Sequence, residues 1–285
     1  LDVDKTKAKV EDLKSQGKLP KIAMFGGSVF LFPHPVKELA DFLKGHGMHI
    51  NYDAAHVAGL IAGGKFQDPL REGTDTMTMS THKTLFGPQG GLVLGFEKHA
   101  EEIKKATFPG LTSSHHIHHM GAKAVAFAEA LEFGKDYAEQ TIKNAKALAS
   151  ELNNEGFKVL GEKRGYTESH QTVVNVLDYG DGGTIEADLE KANIIVNRQL
   201  IPGDLKANRH YMHPGGIRLG TSEITRLGMK ESEMKEIASL MKQVIVDKKD
   251  AGEIAGRVKE FKTDFKKTQY CFDNKLGAYE YVKLR

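Results

Sequence analysis

The chain holds 285 residues, 40% of them hydrophobic, and its 40 Lys and Arg against 38 Asp and Glu leave a formal charge of +2. This is enough apolar material for one large core or two smaller ones, and the balanced charge argues against nucleic acid or an anionic membrane as partner. A single cysteine, Cys271, excludes an internal disulfide, and no stretch approaches the roughly eighteen apolar residues of a membrane helix, so the composition fits a cytoplasmic protein.

The opening segment, Leu1 to Lys18, is charged and holds no apolar signal-peptide core, and the first residue, Leu1 rather than Met, suggests a start in mid-protein. Short apolar runs at Lys21–Phe25, His49–Asp53, Thr76–Ser80 and Gly91–Phe96 predict strands separated by helical stretches. The clearest helix is Val36–Lys44, with Val36, Leu39, Ala40 and Leu43 at helical spacing and Gly45 and Gly47 as its stop. Such alternation predicts βα units and a mostly parallel sheet. Met120 to Asn153 is rich in Ala, Leu, Glu and Lys without proline, which predicts one or two long helices. The domain boundary is placed inside it, with residues 1–140 before and 141–285 after. Phe157–Leu160, Thr172–Leu177, Ile194–Val196 and Ile217–Leu219 predict strands, and Glu186–Lys191 and Lys230–Val246 predict helices, giving a smaller α+β domain. The charged stretch Lys249 to Arg285, interspersed with Phe261, Phe265, Tyr270 and Phe272, predicts a helical tail packed on that domain.

Chemistry concentrates in two blocks. Tyr52-Asp53-Ala54-Ala55-His56-Val57-Ala58-Gly59-Leu60 closes the second strand, and Ser80-Thr81-His82-Lys83-Thr84-Leu85-Phe86-Gly87-Pro88-Gln89-Gly90-Gly91 follows the third. In open α/β sheets ligands collect outside the carboxyl ends of the strands, so a carboxylate and a lysine would face one pocket. Pyridoxal phosphate asks for such a pair. The lysine holds the cofactor covalently, and the acid keeps its pyridine nitrogen protonated so that the ring can absorb carbanion electrons. Taken singly, a lysine beside glycines is ordinarily solvated, an Asp ordinarily a helix cap and a His ordinarily a packed imidazole. Their joint occurrence favours the site. The run His115-His116-Ile117-His118-His119 predicts a polar loop or helix start at a subunit interface rather than a metal site, because adjacent side chains rarely converge on one ion; no metal is expected. Gly26-Gly27 and Gly63-Gly64 read as turns.

Together the two blocks resemble the signature of serine hydroxymethyltransferases, archaeal-like here, on the aminotransferase-like fold type I of pyridoxal-phosphate enzymes. The likeness continues through Gly26-Gly27-Ser28, Phe108-Pro109-Gly110, Ala192-Asn193-Ile194-Ile195-Val196-Asn197 and Gly216-Ile217-Arg218-Leu219-Gly220-Thr221. The resemblance implies that residues 1–140 are the remainder of a cofactor-binding large domain and 141–285 a small domain with a helical tail. It also implies that Lys83 carries the cofactor, Asp53 pairs with the pyridine nitrogen, and Ser28 and His56 stand beside the phenolic oxygen. Ser80 and His82 would line the site, Ser114 would join the cofactor contacts, and Arg218 would clamp the substrate carboxylate with its planar fork. The implied reaction interconverts serine and glycine and passes the one-carbon unit to a reduced pterin, tetrahydrofolate or tetrahydromethanopterin, in a homodimer.

The chain departs from the family pattern at Gln89, where many relatives have Arg, at Ser113-Ser114, where they have two glycines, and at Gln199, where an Asn often stands near the pterin. The family's N-terminal arm, ring-stacking His, phosphate loop and acidic catalytic Glu do not fall within these residues, so the chain alone is expected to take up little cofactor. The alternatives are a pyridoxal-phosphate aldolase or transferase that uses no pterin, and an inactive, cofactor-free fragment serving dimerisation or RNA contact. The balanced charge and the retained Lys83 speak against the last.

Overall fold

The computed structural model describes residues 1–273 and 277–280. The chain divides into two compact units, Leu1–Lys135 and Asp136–Arg285.

The first unit opens with α1 (Val3–Ser15), whose N-terminus is capped by the Asp2 carboxylate accepting the Lys5 N–H. Strands β1 (Ile22–Gly26), β2 (His49–Asp53), β3 (Thr76–His82) and β4 (Phe86–Gly95) form one sheet in the order β1-β2-β3-β4. β1, β2 and β3 run parallel, while β4 returns antiparallel to β3. The crossover from β1 to β2 is α2 (Val36–Gly45), and that from β2 to β3 holds the short α3 (Ala58–Ala62) and α4 (Pro69–Glu72). The predicted stripe of α2, Val36, Leu39, Ala40 and Leu43, is buried, and each of its two leucines contributes about 2 kcal/mol by leaving water. The helix stops where Gly47 takes φ +74°. Its N–H donates to the Lys44 carbonyl and the Met48 N–H reaches back to the Leu43 carbonyl, closing the last turn.

Period-two alternation decides what each strand presents. In β2, Ile50 and Tyr52 are buried while Asn51 and Asp53 are half-exposed; in β3, Met77, Met79 and Thr81 are buried while Thr78 and Ser80 are half-exposed and His82 exposed. The register aligns Gly26 with Asp53 and Asp53 with Thr78, so Asp53, Ser80 and His82 stand on one face. The predicted run Gly91–Phe96 is the outer part of a longer strand that begins at Phe86 and makes a hairpin with β3, not another βα unit. After β4 come α5 (Ala100–Lys105), an irregular turn over Ala106–Leu111, and α6 (Ile117–Asn154), one continuous helix within which the two units meet in sequence.

The second unit is an antiparallel sheet with helices. Strands β5 (Lys158–Val159), β6 (Gln171–Asn175), β7 (Asn197–Gln199) and β8 (Gly216–Gly220) lie in the order β5-β6-β8-β7. Around it are α7 (Gly182–Lys191), α8 (Ser222–Arg226), α9 (Glu231–Ile245) and α10 (Ala251–Phe261). Leu148, Leu152, Ile185, Leu189, Ile217 and Met234 form the centre of its core.

Two predicted elements move. The strand expected at Ile194–Val196 forms three residues later, because Asn193 at φ +59° closes α7 and the Ile194 N–H turns back to the Leu189 carbonyl. Ile195 is left 76% exposed, so this β-branched run is a helix exit and not a ladder. The tail is helical only through Phe261 and one further turn, Lys262–Asp264; beyond it, Lys267 bridges Gly277 in an extended pairing. The parts of the expected tail at 274–276 and 281–285 lie outside the described residues. No helix among the described residues is long and apolar enough to cross a membrane.

Candidate active site

The carboxyl ends of β1, β2 and β3 carry most of the residues singled out in the sequence. Asp53 is the last residue of β2, and its carboxylate accepts the Ala55 N–H at 2.9 Å, a local turn bond that orients it at the strand end. The loop that follows is clasped to the turn holding Lys83. The Thr84 hydroxyl donates to the His56 carbonyl at 2.8 Å and accepts the Gly59 N–H at 3.0 Å. Gly59 is a glycine because nothing else fits: a Cβ there would overlap the Thr84 carbonyl. The fully buried Thr84 therefore brings the Asp53–His56 loop onto the Lys83 turn.

Lys83 lies between the paired residues His82 and Phe86, in the turn that joins β3 to β4. Thr81 donates its hydroxyl to the Pro88 carbonyl at 2.7 Å, and Gly90 donates its N–H to His82 Nδ1 at 3.3 Å, so the Gly87-Pro88-Gln89-Gly90 segment is laced back onto β3. A Cβ on Gly90 would run into the Lys123 side chain, which places a second ammonium group beside the hairpin.

Ser28 is exposed, two residues beyond β1. Gly26 at φ +95° and Gly27 at φ +146° make the turn, and a Cβ on Gly26 would overlap the Asp53 carbonyl. Ser28 is thus tied to Asp53 through the backbone. Ser114 is exposed in the extended segment before α6, and His115 and His116 precede the helix while His118 and His119 lie in its first turn. Nothing among the described contacts links Ser114 to the Lys83 turn.

In the second unit, Arg218 of β8 faces Asn197 of β7 across the ladder, and its Nη2 donates to Asn197 Oδ1 at 3.0 Å. Burial pushes the guanidinium below its ordinary range, with Tyr211 opposing, yet an arginine this basic stays a cation. The loop between β7 and β8 is fixed by Asp204, which is almost fully buried and accepts the Ile201 N–H at 2.9 Å and the Gly215 N–H at 2.8 Å. Thr84, Lys123, Asn197 and Asp204 had no role in the sequence reading. Thr84 sits inside the second block and Asn197 closes the Ala192–Asn197 run, but their work is bonding to distant backbone or a neighbouring strand, which no spacing reveals.

Pyridoxal phosphate suits this donor set: an amine on a fixed turn, a carboxylate on the adjacent strand end, and glycine backbone at Gly26 and Gly59 where side chains are excluded. The family model described as "Serine hydroxymethyltransferase" matches residues 1–241.

The chain belongs to the serine hydroxymethyltransferase family.

The chain is 76% identical to the serine hydroxymethyltransferase of Nitrosopumilus maritimus over its whole length. It is 51% identical to that of Pyrococcus horikoshii over 98% of the chain. It spans 65% of the length of each of these curated relatives. Among solved structures it is similar to an L-threonine transaldolase from Pseudomonas fluorescens in its internal aldimine state, with a TM-score of 0.84 and 33% identity, over 96% of this chain and 61% of that one. The expected fold class holds: an aminotransferase-like, fold type I architecture, with the parallel strands in the first unit and an α+β second unit.

Proposed function

We propose that this serine hydroxymethyltransferase family chain belongs to an enzyme that binds pyridoxal phosphate on Lys83 and interconverts serine and glycine, exchanging the one-carbon unit with a reduced pterin. The observation that carries the reading is the Thr84 clasp, which draws the Asp53–His56 loop onto the turn of Lys83. When bound, the cofactor supplies an electron sink that stabilises negative charge at the substrate Cα. The chain's own residues do the rest. Lys83 holds the cofactor, and Asp53 keeps a proton on the pyridine nitrogen through charge and hydrogen bonding. Ser28 and His56 flank the phenolic oxygen, Ser80 and His82 line the same sheet face, and Ser114 joins the phosphate contacts. Arg218 takes the substrate carboxylate, with Asn197 accepting a hydrogen bond from its Nη2.

In this reading residues 1–140 are the remainder of the cofactor-binding domain and 141–285 the small domain. The carrier is tetrahydrofolate or tetrahydromethanopterin. Exposed apolar side chains on the first unit, with Leu111 86% and Leu131 90% accessible, support a second copy as partner in a homodimer. One cysteine in the chain supports a cytoplasmic setting.

The test is borohydride reduction of the full-length protein with pyridoxal phosphate, followed by peptide mapping. The label is expected on Lys83; a label on Lys65 or Lys98 instead would sink the assignment. The likeness to an L-threonine transaldolase favours a second reading, a pyridoxal-phosphate aldolase or transferase that uses no pterin. Turnover of serine that depends on added pterin decides for the first, and equal turnover without it for the second.

Arg218→Lys is expected to raise KM for serine about 10- to 100-fold with a smaller change in kcat, since a point-charge ammonium loses the second of two charge-assisted bonds. Steady-state kinetics with serine and its methyl ester check this. A wild type that handles ester and acid equally would remove the clamp.

A further inference from the structure

The loop that carries Ser28 has a support that the reading above does not use. Gly26 donates its N–H to Nδ1 of His34 at 3.2 Å. The ring lies stacked on Phe30, with centroids 4.9 Å apart and planes 28° from parallel, and meets Phe25 and Tyr52 edge-on at 6.4 and 6.3 Å. Burial, first among the causes, pushes the His34 pKa below its ordinary value, so the imidazole is neutral and Nδ1 is free to accept.

The backbone of His34 is held as firmly as its ring. It precedes Pro35, whose ring confines the His34 backbone to the extended region. The Gln67 carboxamide takes both of its peptide groups: the His34 N–H donates to Gln67 Oε1 at 2.8 Å and Gln67 Nε2 donates to the His34 carbonyl at 3.0 Å. Tyr52, the residue before Asp53, donates its hydroxyl to the same Gln67 oxygen at 2.7 Å. The Gln67 amide also donates to Glu72 at 2.6 Å, fixing the amide's orientation. Burial holds the Tyr52 hydroxyl far above its ordinary range, with Glu72 and Asp53 adding to the effect, so it remains a donor. The ends of β1 and β2 are therefore locked to one imidazole and one carboxamide.

We propose that His34 is a positioning residue: its Nδ1 fixes the Gly26 N–H, and through Gly26, packed against the Asp53 backbone, it sets Ser28 and Asp53 for the cofactor ring. The proposal deepens the pyridoxal-phosphate reading and rests on it. Removing the acceptor leaves a half-buried N–H unpaired and lets the glycine turn rotate away from the strand end.

Two variants separate the acceptor from the ring. His34→Phe keeps the stack on Phe30 and loses the acceptor, whereas His34→Asn loses the ring and keeps an oxygen near the Nδ1 position. In the full-length protein, visible absorbance titration with pyridoxal phosphate is expected to show about a tenfold weaker dissociation constant for His34→Phe and a value near wild type for His34→Asn. Hydrogen exchange of the cofactor-free protein is expected to be faster at Gly26–Ser28 in His34→Phe alone. A loss confined to His34→Asn would mean that the ring matters only for packing and would overturn the proposal, as would equal losses in both variants or unchanged exchange in His34→Phe. Wild type that takes no cofactor on Lys83 would sink the cofactor reading instead, and the exchange measurement still decides whether the imidazole holds the loop.

Discussion

Gly59→Ala is expected to destabilise the first unit by about 2 kcal/mol and to loosen the turn that carries Lys83. At an ordinary helical position the same change gains about 1 kcal/mol, because alanine gives up less backbone freedom on folding. Gly59 is fully enclosed, and a methyl group there overlaps the Thr84 carbonyl. Relief requires α3 to move off the hairpin, at an overpacking cost of about 1–3 kcal/mol, and stretches the bond from the Gly59 N–H to the Thr84 hydroxyl, worth about 1 kcal/mol more. The losses exceed the propensity gain. Gly121→Ala in α6, where a Cβ meets nothing within 4 Å, is the matching control and is expected to be neutral or stabilising. Urea unfolding of the two variants reads the difference directly, and equal midpoints would refute the clasp as a tight contact.

Asp53→Ala is expected to leave pyridoxal phosphate attached through Lys83 while lowering turnover on the order of a thousandfold, the scale seen when one preorganised charge-stabilising group is removed. On the proposed reading, a pyridine nitrogen without that carboxylate would lose its proton and the ring would become a poor acceptor of carbanion electrons. Asp53→Asn sharpens the test, because its side-chain oxygen can still accept the Ala55 N–H and preserve the strand-end turn. If both variants fall together, charge is responsible; if Asn matches wild type, the turn bond is the residue's whole contribution.

The parallel core was legible because its signals are periodic. The α2 stripe and the alternating β2 and β3 reflect burial on one face, and burial is what hydrophobic spacing encodes. The β3–β4 hairpin was only half legible: Phe86-Gly87-Pro88-Gln89-Gly90-Gly91 has the composition of a loop and is held extended by pairing with β3 and by Thr81 and His82. Ile194-Ile195-Val196 misled for the opposite reason, since β-branched residues mark a strand only when a partner strand stands beside them. Asp53 and Lys83 stood out by residue type and by their place in the strand order. His34, Thr84 and Asp204 did not, because each bonds a backbone group in another segment of the chain, Gly26, Gly59 and Gly215 in turn, and a hydrogen-bonding partner leaves no pattern of its own.

The hairpin also limits how Lys83 can move. Lys83 follows a strand whose ladder continues on the far side of a three-residue turn, with Thr84 pinned beneath it. Its Cα is in effect a fixed post, and only the four methylenes of the side chain are free to swing. In the proposed role, an amine on such a post would reach and leave a cofactor by rotation about its own bonds, in picoseconds to nanoseconds, without waiting for a loop to open and close.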